Sequence, residues 1–390
     1  MAPEENRISL YSMAGMLWMM LSHKYASLGF KRLYPLMRES LSMFREKMNS
    51  LDTIECLNRE KLHTKGYLKE RHWKSAVFMA VATSLPLLYR GITHTEMVEA
   101  ICAKASIGAS AKLMDNLNDE HHSYEDALMS LSVYESALGR GRYEEDLCPG
   151  MAERSACEIA GWACKIMSLK DNTAFHNDVA LLVSGQVASL QHKKDEYPSM
   201  KEYLSRICER SIGNVWIDMD LTVLNNQEHQ IKEGNDYIFK SYLIYDDVQD
   251  IARDLKNNSV NAAVILGLER GILEQSEVEY NPDILENLEK SGIFRDLLWL
   301  GDLVFLKGLE LISEETNPVD RRGLAASLGL IRMFNIRRIL RREMNVNNFS
   351  IFLAGRKKLR KMKETAPEYL REMVEFIHEK GFKSLEQGRA

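Results

Sequence analysis

The stretch Tyr242-Leu243-Ile244-Tyr245-Asp246-Asp247-Val248-Gln249-Asp250-Ile251-Ala252-Arg253-Asp254 packs four carboxylates into nine residues directly after an apolar, helix-compatible run. At helical periodicity Asp246, Asp250 and Asp254 fall one turn apart on one face, with Asp247 beside them. Like charges at i,i+4 destabilise a helix, and Arg253 alone lies inside the cluster to offset them. The spacing therefore calls for a cation. Hard divalent ions such as Mg²⁺ take carboxylate oxygens together with water and phosphate oxygens, so the cluster reads as a metal bridge to a phosphorylated ligand.

A second cluster lies upstream, in Ala111-Lys112-Leu113-Met114-Asp115-Asn116-Leu117-Asn118-Asp119-Glu120. Asp115 and Asp119 again stand at i,i+4, with Asn118 on the same side. From about Glu96 to Leu138 there is no proline and much Ala, Leu and Met, which predicts that this cluster too projects from a long helix. An isolated acidic stripe is ordinarily a solvated helix face. Two such stripes, tightly flanked by apolar residues and poor in local counter-charge, favour a metal role. Facing each other, they would hold magnesium ions that neutralise a diphosphate and stabilise it as a leaving group.

The rest of the chain supports an all-α protein. Proline is sparse at 8 of 390 residues, helix formers dominate, and no segment alternates as a strand would. Punctuation at Gly139-Arg140-Gly141, Cys148-Pro149-Gly150, Tyr197-Pro198, Asn281-Pro282 and Asn317-Pro318 cuts the chain into helical blocks, none separated by a linker. The expected organisation is an N-terminal helical layer over residues 1–60, packed on one large helical domain over 61–390. A net charge of −5 gives no electrostatic reason to expect nucleic acid. Six cysteines without a CxxC pair fit a reducing cytoplasm, and the uncharged runs are too short for a membrane span. In the C-terminal third, Arg337, Arg338, Arg341 and Arg342 precede Arg356-Lys357-Lys358-Leu359-Arg360-Lys361. This basic segment reads as a solvated face, a lid over a diphosphate, or a contact for an anionic membrane surface.

With both clusters in view the chain resembles the class I isoprenoid synthase superfamily, which implies a single large antiparallel helical bundle with a central apolar cavity. Met114-Asp115-Asn116-Leu117-Asn118-Asp119 is similar to its first aspartate-rich motif, with Asn116 where many members have Asp. Tyr242 to Asp250 resembles the second motif of trans-prenyl diphosphate synthases. Ser184-Gly185-Gln186, Glu202-Tyr203-Leu204 and Gly234 follow the same order of features, so the likeness covers roughly residues 75–270. The chain departs from elongating synthases in two places. It has Lys65-Gly66-Tyr67-Leu68-Lys69-Glu70-Arg71 where a Gly-Gly-Lys-Arg segment is usual, and Glu120-His121-His122-Ser123-Tyr124 where an Arg-Arg-Gly follows the first motif.

The resemblance implies a terpene synthase that ionises a single prenyl diphosphate with about three Mg²⁺ ions, held by Asp115, Asp119, Asp246, Asp247 and Asp250. Asn116 and the basic residues Lys193, Lys240 and Arg253, with Arg206 and Arg210 behind them, are candidates for the diphosphate. Phe78, Trp216 and Tyr242, together with Phe175 and Phe239, are candidate aromatic faces for an allylic cation. Ile107, Gly108, Ser110 and Ala111 would form the floor of the chain site, and their small side chains predict acceptance of C15 or longer. The alternatives are an elongating prenyl diphosphate synthase whose acceptor site uses Lys65, Lys69 and Arg71, or a non-catalytic subunit of one. A homodimer is expected as the commonest closed assembly.

Overall fold

The computed structural model describes residues 30–51, 55–84, 92–190, 197–224, 229–275, 278, 282–315, 361 and 363–387. These residues form helices and turns, with no strand among them. Lys193, Arg337, Arg338, Arg341, Arg342 and the basic positions 356–360 lie outside the described residues, as do the first 29 positions of the expected N-terminal layer. Among the described residues no helix is long and apolar enough to cross a membrane. All six cysteines are buried as free thiols.

The chain divides into two compact units. The first unit takes its described residues from 30–183 and 214–224, the second from 184–213, 229–315 and 361–387. The first contains α1 (Phe30–Asn49), α2 (Arg59–Thr64), α3 (Glu70–Thr83), α4 (His94–Glu120), α5 (Tyr124–Arg140) and α6 (Met151–Ile166). Helix α7 (Thr173–Ser189) begins in the first unit and passes into the second at Ser184. Next come α8 (Met200–Ser205), the 3₁₀ turn Ile207–Arg210 and α9 (Gly213–Leu224), which belongs to the first unit beyond Gly213. The second unit continues with α10 (His229–Lys256), α11 (Ala262–Glu269), α12 (Pro282–Lys290), α13 (Ile293–Glu315) and α14 (Glu368–Gln387).

Helix α4 is the centre of the first unit and packs against α1, α3, α5 and α6. Its start is fixed by a reciprocal cap: Thr93 accepts from the Glu96 N–H, and the Thr93 N–H donates to Glu96 Oε2 at 2.9 Å. It is buried on nearly every side, with Ala100, Cys102, Ala103, Ala105, Ser106, Ala109 and Ser110 all at the packing surface. Such a helix belongs inside a bundle, because over Ala100–Ile107 no polar stripe remains to face water. Its 27 residues give a rod about 40 Å long.

The second unit is organised on the α10–α13 pair. Gly234 and Gly308 let the two backbones touch. A Cβ at Gly308 would lie 2.5 Å from the Gly234 carbonyl oxygen, and one at Gly234 would lie 2.7 Å from that of Gly308. Helix α14 packs on α13 and α8, anchored where Tyr369 donates to Asp296 and Arg270 meets the same carboxylate at 2.9 Å.

Candidate active site

In the first unit the acidic residues occupy the last turns of α4. Asp115 is partly exposed and its carboxylate is paired with Lys112 one turn back; Asp119 is half-buried. Relative to Asp115, Asp119 lies about 40° round the helix, Asn116 about 100° the same way and Asn118 about 60° the other way. The two asparagines therefore bracket the acidic face, and both are tied down. Asn116 Nδ2 donates to the Tyr67 carbonyl at 2.9 Å, and the His121 ring meets the Tyr67 ring edge-on at 5.2 Å. Asn118 Oδ1 lies 2.9 Å from His122 Nδ1, while His122 Nε2 lies 2.6 Å from Glu153 Oε1 on α6. The His122 and Glu153 side chains are each 8 % exposed. Burial pushes the Glu153 carboxyl up, but the His122 hydrogen bond, its own backbone N–H and the neighbouring histidines outweigh that and hold it below its ordinary value.

Farther down the same face of α4 come Ala111, Gly108 and, three turns below Asp115, Lys104. Lys104 is fully buried. Its ammonium lies 2.6 Å from Asp220 Oδ2 and 3.0 Å from Ser84 Oγ, and sits 5.7 Å from the centroid of the Trp216 ring. Burial drives both ionised forms toward neutrality: the Asp220 carboxyl is pushed up to about 6 and the Lys104 ammonium is lowered, each opposed by the other's charge. Of the expected floor residues, Ser110 instead meets the Tyr134 hydroxyl of α5 at 2.9 Å, and Ile107 is fully buried.

In the second unit the motif residues separate into two roles. Asp246 is partly exposed, and Asp250 is nearly buried with Arg253 Nη1 3.1 Å from its Oδ2. Asp247 turns inward. Its Oδ2 accepts from the Tyr203 hydroxyl at 2.8 Å and from the Ala262 N–H at 2.7 Å, while Arg210 lies 3.6 Å from Oδ1. Asn261 Nδ2 donates to the Asp247 carbonyl and to Asp254 Oδ2, both at 2.8 Å, and its Oδ1 caps α11 through the Ala263 N–H. Burial pushes the Asp247 carboxyl up to about 6, with Arg210, the Ala262 N–H and Tyr203 pulling it back. Asp254 rises to about 7 through burial and the charges of Asp247 and Asp246, against Arg253 and Asn261.

A backbone contact sets Arg210 in place. A Cβ at Gly185 would lie 2.2 Å from the Arg210 backbone nitrogen and 2.7 Å from the Glu209 carbonyl carbon. Only glycine lets α7 run this close to the 3₁₀ turn.

No protein-family model matches the chain, and no curated protein matches it. Among solved structures it is similar to a geranylgeranyl pyrophosphate synthetase from the archaeon Geoglobus acetivorans, with a TM-score of 0.51 at 15% identity, covering 77% of this chain and 98% of that one. The chain has the all-α class I isoprenoid synthase fold. A linalool/nerolidol synthase from Streptomyces clavuligerus, solved with 2-fluorogeranyl diphosphate, gives a TM-score of 0.47 at 12% identity, covering 77% of this chain and 96% of that one.

Within this isoprenoid synthase fold, several residues expected at a site are committed elsewhere. Asp247, expected as a metal ligand, has its Oδ2 engaged by Tyr203 and Ala262. Lys240, expected to meet diphosphate, is buried with its ammonium 2.8 Å from Glu209 and 2.7 Å from Asp236; burial lowers its pKa, but those two carboxylates more than reverse that and raise it. Asn116 is bonded to Tyr67, and the Trp216 ring carries the Lys104 ammonium. Phe175 and Phe239 are core residues, while Phe78 and Tyr242 are partly buried. Arg253 stays 45 % exposed beside Asp250. Among the described residues no three His, Cys, Asp or Glu side chains converge to hold a metal ion by themselves.

Proposed function

We propose that the chain is a class I terpene synthase that ionises a prenyl diphosphate of C15–C25 and releases diphosphate after cyclisation or quenching. The observation that carries this reading is the pair of i,i+4 aspartate sets, Asp115 with Asp119 and Asp246 with Asp250, on helices of the isoprenoid synthase fold. Magnesium fits such sets, because it binds through one or two carboxylates and completes its octahedron with water and substrate phosphate. When bound, it would neutralise charge on the departing diphosphate. Asp115 and Asp119 in the first unit, and Asp246, Asp247 and Asp250 in the second, would be the magnesium ligands, with about three ions in all. The bonds from Tyr203 and Ala262 to Asp247 Oδ2 would hold the second set in place. Arg253, exposed beside Asp250, is the cation best placed to meet a diphosphate oxygen.

The rest of the site, on this reading, excludes water. An allylic cation reacts with any water present, so the prenyl chain must lie in an apolar, closed chamber. Gly108 and Ala111, on the Asp115 face of α4, leave room for it. A single-substrate reaction is favoured over chain elongation because Lys65, Lys69 and Arg71, the cations available for a second diphosphate, are all solvent-exposed on the α2–α3 segment. A homodimer forms part of the proposal.

Incubation with C10 to C25 prenyl diphosphates and Mg²⁺, with and without isopentenyl diphosphate, tests it by mass analysis of hydrocarbons and alcohols. Diphosphate release with products of unchanged carbon number is expected, and chelation should abolish it. Lengthened products would replace this reading with a prenyl diphosphate synthase. Failure to release diphosphate from any of these substrates would favour a non-catalytic subunit.

A further inference from the structure

Asp119 lies in the last turn of α4, where geometry works against it. The final carbonyls of a helix have no i+4 donor, the terminus fractionally carries negative charge, and two carboxylates at i,i+4 add to both problems. Here the helix is closed by the His121 and His122 N–H groups, which both bond the Leu117 carbonyl, at 2.9 and 3.1 Å. Left alone, such an end frays.

The end is not left alone. Glu153 sits in the first turn of α6, where the helix N-terminus favours its charge. It holds His122 Nε2 at 2.6 Å, and His122 Nδ1 holds Asn118 Oδ1 at 2.9 Å. Asn118 is 3 % exposed and lies between Asp115 and Asp119 in sequence, on the edge of their shared face. The Glu153–His122–Asn118 chain thus pins the rotational setting of the last turn to a neighbouring helix, opposite the Asn116–Tyr67 tie. With both edges fixed, the last turn that carries Asp115 and Asp119 keeps one rotational setting.

We propose that His122 is a positioning residue for the magnesium-binding face of α4, acting through Asn118 and anchored by Glu153. The inference rests on the terpene synthase reading for what binds there, and goes beyond it in naming what sets that face's affinity. Outer hydrogen bonds of this kind typically alter metal affinity by about 10- to 100-fold when lost.

The test is Mn²⁺ binding to the full chain, followed by electron paramagnetic resonance, with far-ultraviolet circular dichroism as the check on folding. H122A should weaken binding about 10-fold or more, and H122Q, which can still donate to Glu153 and reach Asn118, should recover most of it. The same H122A protein should show a raised magnesium requirement for diphosphate release, with turnover restored at saturating Mg²⁺. If H122A does not fold, Glu153→Gln, which keeps shape and removes the anchoring charge, should weaken Mn²⁺ binding in the same direction. Wild-type binding that the folded variant leaves unchanged would overturn this inference alone. Absence of Mn²⁺ binding by the wild type would overturn the metal reading of the preceding subsection and this one with it.

Discussion

Asp220→Leu is the most informative single substitution in the first unit. It removes the carboxylate 2.6 Å from the Lys104 ammonium and fills most of the same volume with carbon. The ammonium is then left fully buried with the Ser84 hydroxyl and the Trp216 ring as its remaining neighbours. Breaking a buried ion pair from one side costs about 3–5 kcal/mol, and the Trp216 contact, present before and after the substitution, does not offset it. The expected loss is therefore about 3–5 kcal/mol. Replacing both partners, K104M with D220L, removes the uncompensated charge and should leave stability near wild type or above it. A double-mutant cycle in urea, followed by circular dichroism and by tryptophan fluorescence, measures the coupling. If D220L falls within about 0.5 kcal/mol of wild type, or the double variant loses the sum of the two singles, the pair is not the electrostatic lock described.

Four further outcomes are expected. Burial raises the Asp220 carboxyl above its unfolded value, to about 6, so its stabilising contribution is full below about pH 4 and is lost as pH rises through 6; Asp220→Asn should flatten that part of the stability profile, read from unfolding midpoints between pH 4 and 7.5. Asp246→Asn should cut diphosphate release by about two orders of magnitude with little change in melting temperature. Asp247→Asn should instead cost about 1–3 kcal/mol of stability, because an amide oxygen that keeps both Oδ2 contacts, with Tyr203 and Ala262, puts its NH₂ where Oδ1 faces Arg210, donor against donor. Gly308→Ala should destabilise by at least about 1–3 kcal/mol, measured by thermal melting, since its methyl would press on the Gly234 carbonyl oxygen.

The all-α fold was legible because its signals are local: helix formers, sparse proline, and caps such as Thr93 with Glu96. The two acidic helices were legible for the same reason, since i,i+4 spacing is a property of one segment. Which oxygen points where was not. Asp246 and Asp247 are neighbours of identical chemistry, and only the turn that brings Ala262 back to α10 sends one inward. Lys240 read as a diphosphate candidate; its local partner Asp236, at i−4, was visible, but Glu209 lies 31 residues earlier, on a 3₁₀ turn the sequence does not announce. Lys104 was passed over altogether, although a lone lysine in the apolar run from Met97 to Ala111 was a visible signal; its partner is 116 residues away. The Ser184-Gly185-Gln186 match, weak as a pattern, acquires a physical reason in the contact of Gly185 with Arg210.

The double attachment of Asp247 limits how this motif can be transplanted. Its side chain is held from upstream by Tyr203 and from downstream by Ala262, and Asn261 clasps its main chain. A graft of the α10 segment alone into another helical host would carry a desolvated carboxylate and leave its donors behind. The smallest cassette that travels intact runs from Tyr203 through Ala262, and chimeras cut inside those limits should come apart at the seam.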